Sequence, residues 1–184
     1  MARYLLLFVF AFCLTACKDP KKEQISEAVH ALFIGKQLVV SVDSLQARIM
    51  GKDTVCTDML APQTKILVYV DSSGCSPCKM ELAAWSLRLQ EMEKENISVP
   101  LVFIVHSHDY SALEKSLKNS FFEYPVFYDR HNMADSLNRF PKQDRYKTFL
   151  LDKENRVVLV GSPANNDKLW ELYKQQIRKL MDKD

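Results

Sequence analysis

Apolar residues are not spread evenly along this chain but gathered into short unbroken runs. Lys65-Ile-Leu-Val-Tyr-Val70, Leu101-Val-Phe-Ile-Val105, Thr148-Phe-Leu-Leu151 and Arg156-Val-Val-Leu-Val160 are four to six residues long and rich in β-branched types. Such runs predict strands, and the first, apolar after Lys65, predicts a central strand covered on both faces. Pro125-Val-Phe-Tyr128 predicts a further short strand. Between the runs the period changes. Over residues 76–95, Leu82, Trp85, Leu89 and Met92 recur at helical spacing, and over 165–181 so do Trp170, Tyr173, Ile177 and Leu180. Asn165 or Asn166 is placed to cap that last helix. Ser111–Lys118 and Met133–Asn138 predict two more helices, and the polar Asp152-Lys-Glu-Asn155 predicts the turn of a hairpin. Strands alternating with helices and ending in a hairpin imply an α/β fold: a mixed sheet between two helical layers.

The first sixty residues read differently. Leu38–Val42 and Ala47–Met50 predict two short strands, with Gly51-Lys-Asp53 as a turn. Residues 18–30 are charged and lack aromatics, which predicts a flexible tether. Ahead of them Arg3 precedes an apolar stretch, Tyr4 to Phe12, and Leu14-Thr15-Ala16 leads into Cys17. The stretch is short for a membrane span of ~20 residues and has the layout of an export signal. Small residues before a cysteine resemble the lipobox of bacterial lipoproteins, which implies cleavage before Cys17 and acylation of that cysteine. The expected organisation is a signal at 1–16, lipid attachment and tether at 17–30, an extension at 31–60 and one domain at 61–184. The location this implies is the cell envelope, on a membrane outside the cytoplasm. The formal net charge is +2, and loss of Arg3 lowers it to +1. A chain so nearly neutral lacks the concentrated basic face that nucleic acid requires.

Five cysteines are present. Cys13 falls within the signal and Cys17 at the lipid site, which leaves Cys56, Cys75 and Cys78. Cys56 reads as a buried, inert thiol. The other two form Cys75-Ser-Pro-Cys78, set between the strand 65–70 with its polar turn Asp71-Ser-Ser-Gly74 and an amphipathic helix. A thiol at a helix start faces unpaired N–H groups and loses its proton more readily than a free one.

Strand, Cys75-Ser-Pro-Cys78, helix and the late Thr148-Phe-Leu-Leu-Asp152 hairpin together resemble the thioredoxin fold, and more closely the exported TlpA-like and redoxin-type lipoproteins. The resemblance covers about residues 60–181. It implies a three-layer α/β/α domain and a thiol–disulfide oxidoreductase, without cofactor, that reduces disulfides of exported proteins with electrons from a membrane donor. Cysteines at i and i+3 of a first helical turn are close enough for a reducible disulfide. Cys75 is expected to attack and Cys78 to resolve the mixed disulfide. Pro77 suits a first turn, where its missing N–H had no partner. A permanent bridge over so small a loop would add little stability, and no second pair of ligands completes a zinc site.

The chain departs from the family at three points. Tyr146 stands where a cis-proline is expected, and a non-proline cis bond costs ~3–4 kcal/mol, so a trans peptide is expected there. Gly74, not tryptophan, precedes the first cysteine. Tyr69 stands where cytoplasmic thioredoxins carry a buried acid. Asp71 and the Tyr69 hydroxyl are the candidates for proton transfer to Cys78. Lys79 reads as a solvated surface lysine. His106-Ser-His108 reads as a polar strand-end loop. The alternative function is a thioredoxin-fold binding module, either a Cu(I) chaperone using the cysteines and one of these histidines or a partner-docking lipoprotein without turnover. Asp71 and Ser72 do not supply the Pro-x-x-x-Thr-x-x-Cys frame of peroxide-reducing redoxins, which argues against a peroxidase.

Overall fold

The computed structural model describes residues 20–182, so the signal and lipid-attachment readings at 1–17 lie outside the described residues. Residues 20–32 belong to a unit of their own and residues 33–182 to a second. Helix α1 spans Pro20–Phe33. This corrects the flexible tether expected there: Pro20 opens a stretch with no further Pro or Gly, and helix propensity suffices for charged residues to continue it.

The remaining elements are β1 (Gln46–Ile49), β2 (Lys52–Asp53), β3 (Lys65–Val70), α2 (Ser76–Lys79), α3 (Leu82–Lys94), β4 (Leu101–Val105) and α4 (Tyr110–Asn119). They continue with β5 (Val126–Tyr128), α5 (Met133–Asn138), β6 (Thr148–Leu151), β7 (Val157–Val160) and α6 (Asp167–Met181). The strands form one mixed sheet in the order β2-β1-β5-β4-β3-β6-β7. β3, β4 and β5 are parallel, and β6 and β7 close one side as the expected antiparallel hairpin. Asn166 caps α6, its side chain accepting from the Leu169 amide.

Alternation along the strands builds two cores. Ile66, Val68 and Val70 face one way and join Phe103, Trp85 of α3, Leu113 and Leu117 of α4, and Trp170, Tyr173 and Ile177 of α6. The crossovers β3–α3–β4 and β4–α4–β5 step the same way across the sheet, so right-handedness puts α3 and α4 on one face. Tyr69 and Phe149 face the other way, where Phe140 lies 4.5 Å from Tyr69 and 5.4 Å from Phe149, and Phe33 lies 5.5 Å from Phe149.

The 31–60 extension corrects the expectation in detail. Residues 38–42 form no strand; Gln37 makes a single antiparallel bridge to Arg156. The true hairpin is β1–β2, turned by Met50 and Gly51, both at positive φ (47° and 82°). That pair has the signature of a two-residue turn matching the strands' own twist. β1 then pairs with β5, so the extension enlarges the domain's sheet instead of standing apart. The 76–95 helix is two helices, broken at Glu81, whose φ is 48°.

Candidate active site

The carboxyl ends of β3 and β4 and the start of antiparallel β6 lie at one end of the sheet, the position where α/β sheets place ligands. Three loops meet there: 71–75 after β3, 106–109 after β4 and 144–147 before β6.

The first loop is shaped by Asp71. Its carboxylate accepts from the Ser73 amide at 3.0 Å and the Ser73 hydroxyl at 2.7 Å, and its carbonyl accepts from the Ser76 hydroxyl at 3.2 Å. Gly74 sits at φ 72°, which a side chain would resist. Cys75 and Cys78 then form a disulfide with Cα atoms 5.3 Å apart. Both residues are exposed. Cys75 is the N-cap of α2, and its sulfur accepts from the Cys78 amide at 3.3 Å. Since α2 is only four residues long, this single N–H, rather than a long helix dipole, is the preformed support for charge on the Cys75 sulfur.

Beneath the pair lies an ion cluster that the sequence did not announce. Lys147 bonds both Asp71 and, at 2.7 Å, Asp144. Lys79 bonds Asp71 at 2.5 Å and lies 3.4 Å from Asp144. Lys79 is therefore no free surface lysine. The Lys147 side chain is 4 % exposed against 24 % for Asp71. Burial alone would raise the Asp71 pKa, but hydrogen bonds from Lys147, Lys79 and Ser73 outweigh it and hold the carboxyl well below the ordinary range. Asp71 is thus ionised at neutral pH and tied to both lysines, so any part it takes in proton transfer begins as acceptor. Burial lowers and Asp144 and Asp71 raise the Lys147 pKa, with a net upward result.

Tyr69, the other relay candidate, points to the opposite layer. Its hydroxyl donates to Asn132 Oδ1 at 2.7 Å, and burial, then the charges of Asp135, Asp71 and Asp129, push its pKa far up. Tyr146 is buried, with the Arg145 guanidinium 4.7 Å from its ring centre, and every described peptide bond is trans.

Two cavities flank the disulfide. One of about 330 Å³ is lined by Cys75, Pro77, Ser107, His108, Asp109 and Ala112. The other, of about 400 Å³, is lined by Cys78, Lys79, Glu81, Asp144, Arg145 and Asn165 among others. His106 is held by its Nδ1 2.9 Å from the Asp129 carbonyl oxygen, and its ring meets that of His108 edge-on at 5.7 Å. The loop read as merely polar therefore brings an imidazole to the cavity of Cys75. Among the described residues no three His, Cys, Asp or Glu side chains converge as a metal site. Cys56 is a free thiol away from this end, partly exposed where burial was expected; burial, then Asp58, raises its pKa.

The fold matches solved structures of redoxins. A proposed protein disulfide isomerase from Bacteroides thetaiotaomicron aligns with a TM-score of 0.58 at 18% identity, over 82% of this chain and 91% of its own. The fold is thioredoxin-like. A proposed thiol:disulfide interchange protein DsbE from Chlorobium tepidum aligns at TM-score 0.56 and 16% identity, over 79% and 98% of the two chains. Peroxidoxin BcpB from Mycobacterium tuberculosis does so at 0.56 and 14%, over 81% and 98%. No family model and no curated protein matches the sequence.

Proposed function

We propose that this chain is a lipid-anchored thiol–disulfide oxidoreductase of the cell envelope that reduces disulfides of exported proteins. The observation that carries the reading is the exposed Cys75–Cys78 disulfide at the sheet's carboxyl end, open to a cavity on either side. In the reduced protein the Cys75 thiolate attacks a client disulfide; one client sulfur leaves and a mixed disulfide forms. Cys78 then attacks the Cys75 sulfur, restores the internal disulfide and frees the second client thiol. Two electrons pass from the dithiol to the client, and a membrane donor must replace them. The Cys78 amide at the Cys75 sulfur supports Cys75 as the attacking group. The anchor rests on the Leu14-Thr15-Ala16-Cys17 pattern.

The test is dithiothreitol-driven insulin reduction. The wild type is expected to accelerate it catalytically, Cys75→Ser to abolish the acceleration, and Cys78→Ser to accumulate a mixed disulfide with the client. Equal rates for wild type and Cys75→Ser would leave only the binding-module reading. Radiolabelled palmitate incorporation, lost in Cys17→Ala, tests the anchor.

A further inference from the structure

We propose that His108 is the proton partner of Cys75: it takes the thiol proton to create the attacking thiolate and returns it to the departing client sulfur. The inference rests on the oxidoreductase reading and adds to it a residue outside the Cys75-Ser-Pro-Cys78 motif.

The placement is specific. His108 is exposed and shares the 330 Å³ cavity with Cys75, whereas its neighbour His106 is partly buried and tied to a backbone carbonyl. The loop that presents His108 is fixed at both ends. His106 is anchored on Asp129, and Asp109 caps α4 with its carboxylate on the Ala112 amide at 3.0 Å. The Asp109 amide donates to the Ser107 hydroxyl at 3.2 Å, closing the bend between the two histidines. The imidazole is therefore held beside the thiol's opening without being consumed by another bond that the loop requires.

The groups able to titrate on this cavity are Cys75 from the motif, and His108 and Asp109 from the loop after β4; His106 meets His108 from behind. Asp71 faces the other side of the motif, neutralised by Lys79 and Lys147. His108, once it has taken the proton, is the cation on the cavity that Cys75 lines. An opposite charge at close range lowers a thiol's pKa, and each unit is a tenfold gain in thiolate fraction at a pH below it.

The proton path balances. The Cys75 S–H gives its proton to the neutral imidazole, and the thiolate displaces the first client sulfur as the Cys75–client bond forms. The imidazolium protonates that leaving thiolate. Cys78 then forms the bond to Cys75 as the Cys75–client bond breaks, and the Cys78 proton goes to the second client sulfur. The client gains two electrons and two protons, and the protein loses both.

The experiment is the rate of iodoacetamide alkylation of Cys75 in the reduced full-length protein from pH 5 to 9, followed by mass spectrometry of the Cys75 peptide. In the wild type, alkylation at pH 6 is expected to be about tenfold faster than in His108→Gln. His106→Gln is expected to match the wild type. His108→Lys, which keeps a cation beside the thiol, is expected to hold the fast rate at pH 6. Superimposed pH profiles for wild type and His108→Gln would overturn the inference, even in a protein that reduces insulin. The converse result, a His108-dependent profile in a protein without insulin turnover, would keep the thiol–imidazole pair and remove the oxidoreductase reading.

Discussion

Replacing Lys147 by methionine takes the buried cation out of the cluster beneath the motif. Breaking a buried pair by removing one partner costs ~3–5 kcal/mol, because the other charge stays desolvated. Here Asp71 retains Lys79, and Asp144 is half exposed, so the expected loss is about 2–3 kcal/mol. For a domain of this size each kcal/mol lowers the melting temperature by ~2–4 °C, a total drop of roughly 4–12 °C. The double variant Asp71→Asn/Lys147→Met removes both ends of the pair and should recover about 1–2 kcal/mol relative to the sum of the single variants. Acid provides an independent check. The folded Asp71 carboxyl sits below its unfolded-state value of ~3.9, so its contribution is complete above that value and disappears as pH falls through the folded one. The gap between wild type and Lys147→Met should therefore shrink as the pH is taken below about 4. Urea unfolding of the oxidised proteins at pH 7 and at pH 3 measures the free energies, and a thermal melt at pH 7 the drop in melting temperature. A Lys147→Met loss below ~0.5 kcal/mol at pH 7, the size seen for exposed pairs, would refute the cluster as a stabilising device.

Other expectations follow from single positions. Phe121 is 81 % exposed at φ 51°, a left-handed conformation that costs a side-chain-bearing residue ~1–2 kcal/mol; Phe121→Gly should raise stability by about 0.5–1 kcal/mol, and a loss in a thermal melt would contradict this. Asn166→Ala should cost ~1 kcal/mol through the lost α6 cap, measured by urea midpoint. Lys65 is fully buried on Asn155 Oδ1 at 2.7 Å, and burial, opposed by Asp152, lowers its pKa to about 8. Between pH 8 and 10 the unfolded chain therefore binds more protons at this site, so stability should rise with pH over that range in the wild type relative to Lys65→Met. A flat difference between the two would remove that claim.

The sequence made the site's covalent chemistry and the centre of the sheet legible, for a physical reason. β3, β4 and β6 are buried on both faces, so they appear as unbroken apolar runs, and α6 carries its buried stripe at Trp170, Tyr173 and Ile177. The extension was harder because its residues alternate in exposure without a strand to show for it. Leu38 is 2 % exposed and Val39 50 %, yet one bridge and the Asn138 side chain hold that stretch, not a ladder. The break at Glu81 was hidden because its carboxylate is held by Ser162 and Asn165, more than eighty residues away. The same distance problem concealed the ion cluster. Asp71 meets Lys147 across 76 positions, and nothing local distinguishes that lysine from a solvated one. His108 left a weaker trace: a histidine just after a fully apolar strand belongs to the carboxyl-end loops where such sheets place chemistry.

The most direct test of the central claim is the reduction potential of the Cys75–Cys78 pair, read by thiol labelling of the protein equilibrated in dithiothreitol and glutathione buffers. The account predicts reversible two-electron exchange at or below thioredoxin's potential of about −270 mV. A value near −120 mV, where strong oxidants lie, would reverse the direction of electron flow, and a disulfide that never exchanges would contradict the account altogether.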